Sequence, residues 1–296
     1  MNTRRLIRSL SEPSIEVIGY VVLFFMIAYI YAPMIWLFLT AFSPKGGPFL
    51  EIPKSFTLEN FAIVFGLKKI RAGAAALSLY MHRWIVNSLI IAITTMVVTV
   101  VTASMAGYAL SRLRFRGKSI FMVGLLVLGM MPTIAKLLPL YKLCIMFGFI
   151  NNLVGAGIVV ASGIIPVQIW IMKGFFDHIP RELEEQAWIF GCSKLEALFR
   201  VVLPCAGPGL SVVAFLSFLA GWGNFIIPLI LIRTEPLYPI SLGIAASFIH
   251  HPGEIGLAVP YGPLCALSLI YVIPSMTLYF IARKYLMQIK LAKMEV

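Results

Sequence analysis

Apolar residues run through this sequence in long blocks separated by short polar stretches, and the blocks set its architecture. A helix that crosses a bilayer needs about 20 predominantly apolar residues. Six blocks meet that length: 17–42, 84–110, 120–140, 153–172, 210–232 and 264–281. Within lipid the backbone must satisfy its own hydrogen bonds, so each block predicts a helix. The runs are too long and too evenly apolar for the alternating strands of an outer-membrane barrel. The predicted fold class is all-α integral membrane with six transmembrane helices. Residues 1–16 form an N-terminal segment, 17–287 the transmembrane domain and 288–296 a tail.

Composition strengthens this reading. Of 296 residues, 60% are hydrophobic and 12% charged, whereas a soluble domain carries about a quarter charged residues. The net charge of +12 would suggest a nucleic-acid partner in a soluble protein. Here the cations sit in the connections. Arg4, Arg5 and Arg8 precede the first block. Arg112, Arg114, Arg116 and Lys118 join the second to the third, and Lys173, Arg181, Lys194 and Arg200 join the fourth to the fifth. Arg283, Lys284, Lys290 and Lys293 follow the sixth. With six spans all four groups share one side, which the positive-inside rule makes the cytoplasm, so both termini are expected inside and no nucleic acid is expected as a partner. The first outer connection departs from the rule with Lys45, Lys54, Lys68, Lys69, Arg71 and Arg83; it is the longest, and long loops obey the bias less well. Thr57 to Phe61 predicts a short helix within it. The first block is too long for a signal-peptide core and lacks a small-residue cleavage site after it, so it is expected to remain as an anchor. Cys144, Cys192, Cys205 and Cys265 show neither CxxC nor zinc spacing.

The segment 177–204 breaks the pattern. It predicts two short helices with a sharp turn between them. Pro180 suits a first helical turn, and Glu182, Glu184 and Glu185 favour the positive end of a helix dipole. Gly191 suits a left-handed helix end. Ser193 with Glu196 three residues on forms a capping box, and Leu195, Leu198, Phe199 and Val202 recur at helical spacing before Pro204 stops the run. An ordered helix–Gly–helix unit on the basic side reads either as an interfacial helix or as a docking element for another protein. Interfacial helices are basic on their polar face; the first helix here is acidic, which favours a protein partner.

Glu185-Gln186-Ala187, then Gly191, then Leu203-Pro204 resembles the "EAA" loop of binding-protein-dependent ABC importer permeases, departing from it at Gln186 and at Phe190. The resemblance extends along the chain. Phe56-Thr57-Leu58-Glu59-Asn60-Phe61, Asn87-Ser88-Leu89, the run from Ala106 to Lys118 and Trp222-Gly223-Asn224-Phe225 are similar to the smaller six-helix permease of maltose-type carbohydrate importers. That resemblance implies a prokaryotic plasma-membrane protein that imports a sugar. It implies three partners: a second permease, a homodimeric ABC ATPase that binds the ATP and Mg, and an extracytoplasmic substrate-binding protein. Segment 177–204 would then be the coupling element. Glu185 would be its charged contact and Gly191 its turn, with Gln186, Ala187, Ser193, Leu203 and Pro204 completing it.

This chain is expected to hold no nucleotide, cofactor or metal itself. Gly117-Lys118-Ser119 looks like the end of a P-loop, but Arg112 stands where the glycine-rich turn must begin. His250-His251 with Glu254 offers too few ligands for a tetrahedral metal site. Polar groups inside apolar blocks are the candidates for a substrate path, because lipid cannot satisfy them: Asn87, Gln168, Trp222, Asn224 and Lys136. Indole covers the apolar faces of sugars, and amides donate to and accept from hydroxyls. Asn87 equally fits a helix brace, Trp222 a packing role and Lys136 a snorkelling cation. Import of glycerol phosphate or a polyol keeps the same architecture. A secondary transporter working alone is the rival class, and it has no use for the coupling segment.

Overall fold

The computed structural model describes residues 3–68, 80–249 and 259–292, with side chains between residues 16 and 284. His250, His251 and Glu254 lie outside the described residues, as do Lys69, Arg71 and Lys293. The helices are α1 (Thr3–Ala41), α2 (Glu59–Val64), α3 (Met81–Arg112), α4 (Lys118–Met130), α5 (Thr133–Met146), α6 (Leu153–Asp177), α7 (Glu182–Ile189), α8 (Lys194–Cys205), α9 (Gly207–Trp222), α10 (Ile226–Leu231), α11 (Ile240–Ile249) and α12 (Tyr261–Ala292). Four stretches, Glu16–Ala41, Met81–Arg112, Leu153–Asp177 and Tyr261–Lys284, are long and apolar enough to cross a membrane, and the number reaches six if each of two bent pairs is one span.

One bent pair is α4 with α5, and the other is α8 with α9, which meet at 77° beside Ala206. Apart from that second bend, breaks correct two expectations of continuous spans. The block 120–140 divides into α4 and α5, which meet at 97°. The cause is local: proline disfavours helical backbone in the residue before it, and Met131 ahead of Pro132 is extended, with φ −62° and ψ 128°. The block 210–232 ends its first helix at Trp222 and restarts at Ile226. Asn224 makes the restart, its Oδ1 accepting from the Ile227 N–H at 3.0 Å. The short outer helix begins at Glu59, whose N–H donates to Thr57 Oγ1 at 3.1 Å.

α3 and α6 form the centre, running side by side in the same direction, with α9 antiparallel across both. Small residues permit the close approach, as in membrane helix pairs generally. Gly107 faces Met172, Gly157 faces Thr94, Gly209 lies on the Phe175 ring and Gly221 on the Ala92 backbone. Thr95 Oγ1 donates to the Gly157 carbonyl at 3.0 Å. The directions are those that alternating spans require. α12 packs on α9 and α1. Most of α1 from Val17 to Phe38 is exposed.

Candidate coupling surface and substrate cavity

α7 and α8 are set at a fixed angle by two local devices. Gly191 has φ +88°, in the left-handed region where a side chain is costly. Its N–H donates to the Trp188 carbonyl and that of Cys192 to the Ala187 carbonyl, both at 3.0 Å, which is the Schellman pair that closes a helix C-terminus. The next residue opens α8: Ser193 Oγ accepts from the Glu196 N–H at 3.2 Å, and Glu196 Oε2 accepts from the Ser193 N–H at 2.9 Å. Pro180 stands outside the first turn, since α7 starts at Glu182. α8 includes a wide π turn over Leu198–Val202, ahead of Pro204, which has no N–H for the Arg200 carbonyl. The expected apolar face divides around that turn: Leu198 and Val202 are buried, whereas Leu195 and Phe199 are exposed.

The Ser193 N–H holds the Glu196 carboxyl below its ordinary pKa, aided by the Ser193 hydroxyl and Arg200. A depressed folded-state pKa gives stability that is complete above the ordinary carboxylate range and lost as pH falls through the lowered value. Exchange of the Ser193 and Glu196 amides, corrected for intrinsic rates, is expected to stay slow at neutral pH and to quicken as pH falls below the ordinary carboxylate range. Glu196→Gln should flatten that dependence.

The α7–α8 unit is anchored to the ends of α3 and α6. Glu184 is buried and forms an ion pair with Arg112 Nε. Its second oxygen accepts from Tyr108 Oη at 2.9 Å. Arg112 Nη2 also donates to the Ile179 carbonyl at 2.9 Å. Ser111 Oγ donates to Asp177 Oδ1 at 2.6 Å, and Lys173 pairs with the same carboxylate. Arg181 reaches the Ser111 and Arg112 carbonyls at 3.4 Å each, covering carbonyls that a helix end leaves unpaired. In the sequence Glu184 stands among acidic neighbours, Glu182 and Glu185, that hide it as the anchor. The signal was its position three residues before Ala187, which puts both on the inward side of α7.

What remains outward is the reverse face. Glu185 and Gln186 are exposed, and Ile189, Phe190 and Leu195 are 82%, 87% and 69% exposed. Glu185 has no ion-pair partner among the described residues. An apolar patch rimmed by a carboxylate with no ion-pair partner among the described residues thus stands on a unit fixed to two long helices.

The polar candidates separate into two sets. Lys136 and Asn224 line one cavity of about 190 Å³, with Thr133, Leu140, Ser162, Gly163 and Ile227 among its other walls. The other three are buried in helix contacts. Asn87 Nδ2 donates to the Pro236 and Tyr238 carbonyls, both at 2.9 Å. Trp222 Nε1 donates to the Tyr271 carbonyl at 2.9 Å and Tyr271 Oη returns to the Trp222 carbonyl at 2.8 Å, with the rings stacked 5.1 Å apart. Gln168 is buried, and its Oε1 has no hydrogen-bond partner among the described residues. The cavity sits between both helix breaks. Ser162 lies nine residues into α6, about 14 Å along it at 1.5 Å per residue, near the middle of a hydrocarbon core about 30 Å thick.

Comparison with known proteins places this geometry in a family. The family described as binding-protein-dependent transport system inner membrane component matches residues 99–288. The maltodextrin transport system permease protein MdxG of Bacillus subtilis is 32% identical over 79% of this chain and 79% of its own. The galactooligosaccharides transport system permease protein GanQ of the same organism is 31% identical over 82% of each chain. The trehalose/maltose transport system permease protein MalG of Thermococcus litoralis is 29% identical over 86% of this chain and 87% of its own. The crystal structure of a bacterial ABC transporter involved in import of the acidic polysaccharide alginate contains a chain of the same fold, with a TM-score of 0.70 at 19% identity over 93% of this chain and 97% of that one. With its helices, its breaks and its match to the family from residue 99 to 288, the chain belongs to the inner membrane components of binding-protein-dependent transport systems: it is a multi-pass ABC importer permease of the plasma membrane, not itself an enzyme.

Proposed function

We propose that this chain is one half of the translocation path of a sugar importer and carries the ATPase stroke into that path through α7 and α8. The observation that carries the coupling role is the outward patch of Ile189, Phe190 and Leu195 beside Glu185, held on a unit whose inner side is tied to α3 and α6. The patch fits a cleft on an ATPase that lies on the cytoplasmic side, with Glu185 meeting a cation there. ATP and Mg belong to that partner. A second copy of the arrangement on a second permease completes a pair over an ATPase homodimer, and an extracytoplasmic binding protein delivers the cargo.

Relatives whose names carry maltodextrin, galactooligosaccharides and trehalose or maltose support sugar as the cargo. The cavity is smaller than the about 300–1,000 Å³ of a complete small-molecule pocket, which suits one wall of a path shared with the second permease. Asn224 and Lys136 are the path residues with direct access to it. Coupling requires that the ATPase bind the two states of the permease differently, and a rigid α7–α8 unit makes those states distinguishable from outside the membrane.

Purification of the tagged chain in mild detergent, with partners identified by mass and stoichiometry, tests the reading. A second permease and two copies of a Walker-motif ATPase are expected. The chain alone, transporting in liposomes without ATP, would overturn it. Gly191→Val probes the coupling unit itself. A left-handed residue with a β-carbon costs about 1–2 kcal/mol, and Gly191 sits at φ +88°. The variant is expected to hydrolyse ATP without matching uptake, or to lose the ATPase on purification; wild-type uptake with intact assembly would contradict the assignment.

A further inference from the structure

We propose that Lys136 makes this permease selective for a sugar that carries a carboxylate, an inference that rests on sugar import as the function. The cavity between the two helix breaks has one charged side chain among its lining residues, Lys136. A lysine at this depth is expensive, and such residues mark a substrate or ion pathway together with the group that pairs them. Among the described residues, Lys136 is held by a carbonyl: its Nζ donates to the Leu128 oxygen at 3.3 Å, across the 97° bend. That contact covers one carbonyl in the last turn of α4 and leaves two ammonium hydrogens. No carboxylate among the described residues pairs with it.

The neighbouring groups point the same way. Asn224 commits its Oδ1 to the Ile227 N–H at 3.0 Å, so its amide hydrogens remain for the cavity. Ser162 spends its one hydroxyl hydrogen on the Val159 carbonyl at 2.7 Å, so toward the cavity it only accepts, as from a sugar ring hydroxyl and not from the carboxylate. Thr133 adds a hydroxyl at the first residue of α5. The wall therefore offers an ammonium and an amide donor against no anion. A carboxylate is acceptor-only and carries one charge, so it matches a single ammonium with amide and hydroxyl support. A phosphate dianion calls for further cations, above all bidentate arginine, and this wall has no arginine. Interrupted helices converging near the midplane are also where transporters place substrate groups. Neutral ring hydroxyls of the same sugar fit the remaining amide and hydroxyl groups.

The test uses the complete complex with its binding protein in proteoliposomes. ATP-driven uptake is measured for a uronate disaccharide, the neutral disaccharide of the same linkage and a phosphorylated sugar. Wild type is expected to take up the uronate. Lys136→Gln is expected to lower the ratio of uronate to neutral-sugar uptake about tenfold or more, the scale of one lost charge-assisted hydrogen bond. Lys136→Arg keeps the charge and should retain uronate uptake. Wild type that carries only the neutral or the phosphorylated sugar would overturn the proposal. So would a Lys136→Gln variant that loses all substrates equally, since that is the signature of a lysine that merely caps α4. Absence of ATP-driven uptake of any sugar by wild type would instead refute sugar import itself.

Discussion

Replacing Glu184 with alanine is expected to disable transport more severely than any other single change in the coupling segment. The variant leaves the Arg112 guanidinium, with a side chain only 10% exposed, without its carboxylate, and removes the acceptor of Tyr108. Removing one partner of a buried pair costs about 3–5 kcal/mol, because the other charge stays buried and unpaired. That loss falls where α7 meets the end of α3, so the outward patch of α7 is expected to become loose before the spans unfold. ATP-driven uptake should collapse, and the ATPase should dissociate readily or cycle without transport. Arg112→Ala should behave alike. The double change Glu184→Leu with Arg112→Met should recover much of the thermal stability in detergent, since apolar replacement of a whole buried pair is often neutral or better. Glu182→Ala is the exposed comparison on the same turn and is expected to be mild. Equal effects from Glu182→Ala and Glu184→Ala would show that the buried pair is not the anchor.

The contrast between Glu184 and Glu185 shows what the sequence could and could not reveal. Both are acids in the first turn of an acidic helix, and the resemblance singled out Glu185. The two differ by about 100° around the helix axis, which turns Glu184 with Ala187 toward α3 and leaves Glu185 outside. Gly191 and the Ser193–Glu196 box were legible because their requirements are local: a left-handed backbone and a three-residue spacing. The spans were legible because hydrophobic length alone specifies them. Their breaks were harder. Pro132 after Met131 and Asn224 after Gly223 are visible breakers, yet apolarity runs through both and hides the turn. The cavity escaped the sequence for a different reason. Lys136 and Asn224 are 88 positions apart, and only the packing of α5 and α9 beside α6 brings them to one wall. Asn87 and Trp222 drew notice as polar groups within apolar runs, and the structure spends their donors on carbonyls of the 236–238 connection and of α12.

Gly221 is a position where a single methyl group is expected to harm the membrane core severely. A β-carbon there would stand 2.7 Å from Ala92 Cα and 2.8 Å from Thr95 Oγ1. The first contact is backbone, so no side-chain rotation relieves it, and α9 must move away from α3. Thr95 is also the residue whose hydroxyl donates to the Gly157 carbonyl of α6, so displacement there reaches a third helix. Overpacking a well-filled core costs about 1–3 kcal/mol, with more where rigid groups collide. In lipid the helices have little hydrophobic drive to hold them together and depend on this close fit. Gly221→Ala is therefore expected to lower the temperature at which the purified complex loses monodispersity, and Gly221→Val to prevent recovery of folded protein. Gly174 provides the counterpart, since a β-carbon there meets nothing within 4 Å. Gly174→Ala should be neutral or stabilising by up to about 1 kcal/mol, the helix-propensity gain of alanine over glycine. If Gly221→Ala matched wild type while Gly174→Ala lost stability, the contact between α9 and α3 would not be the close helix crossing on which the path depends.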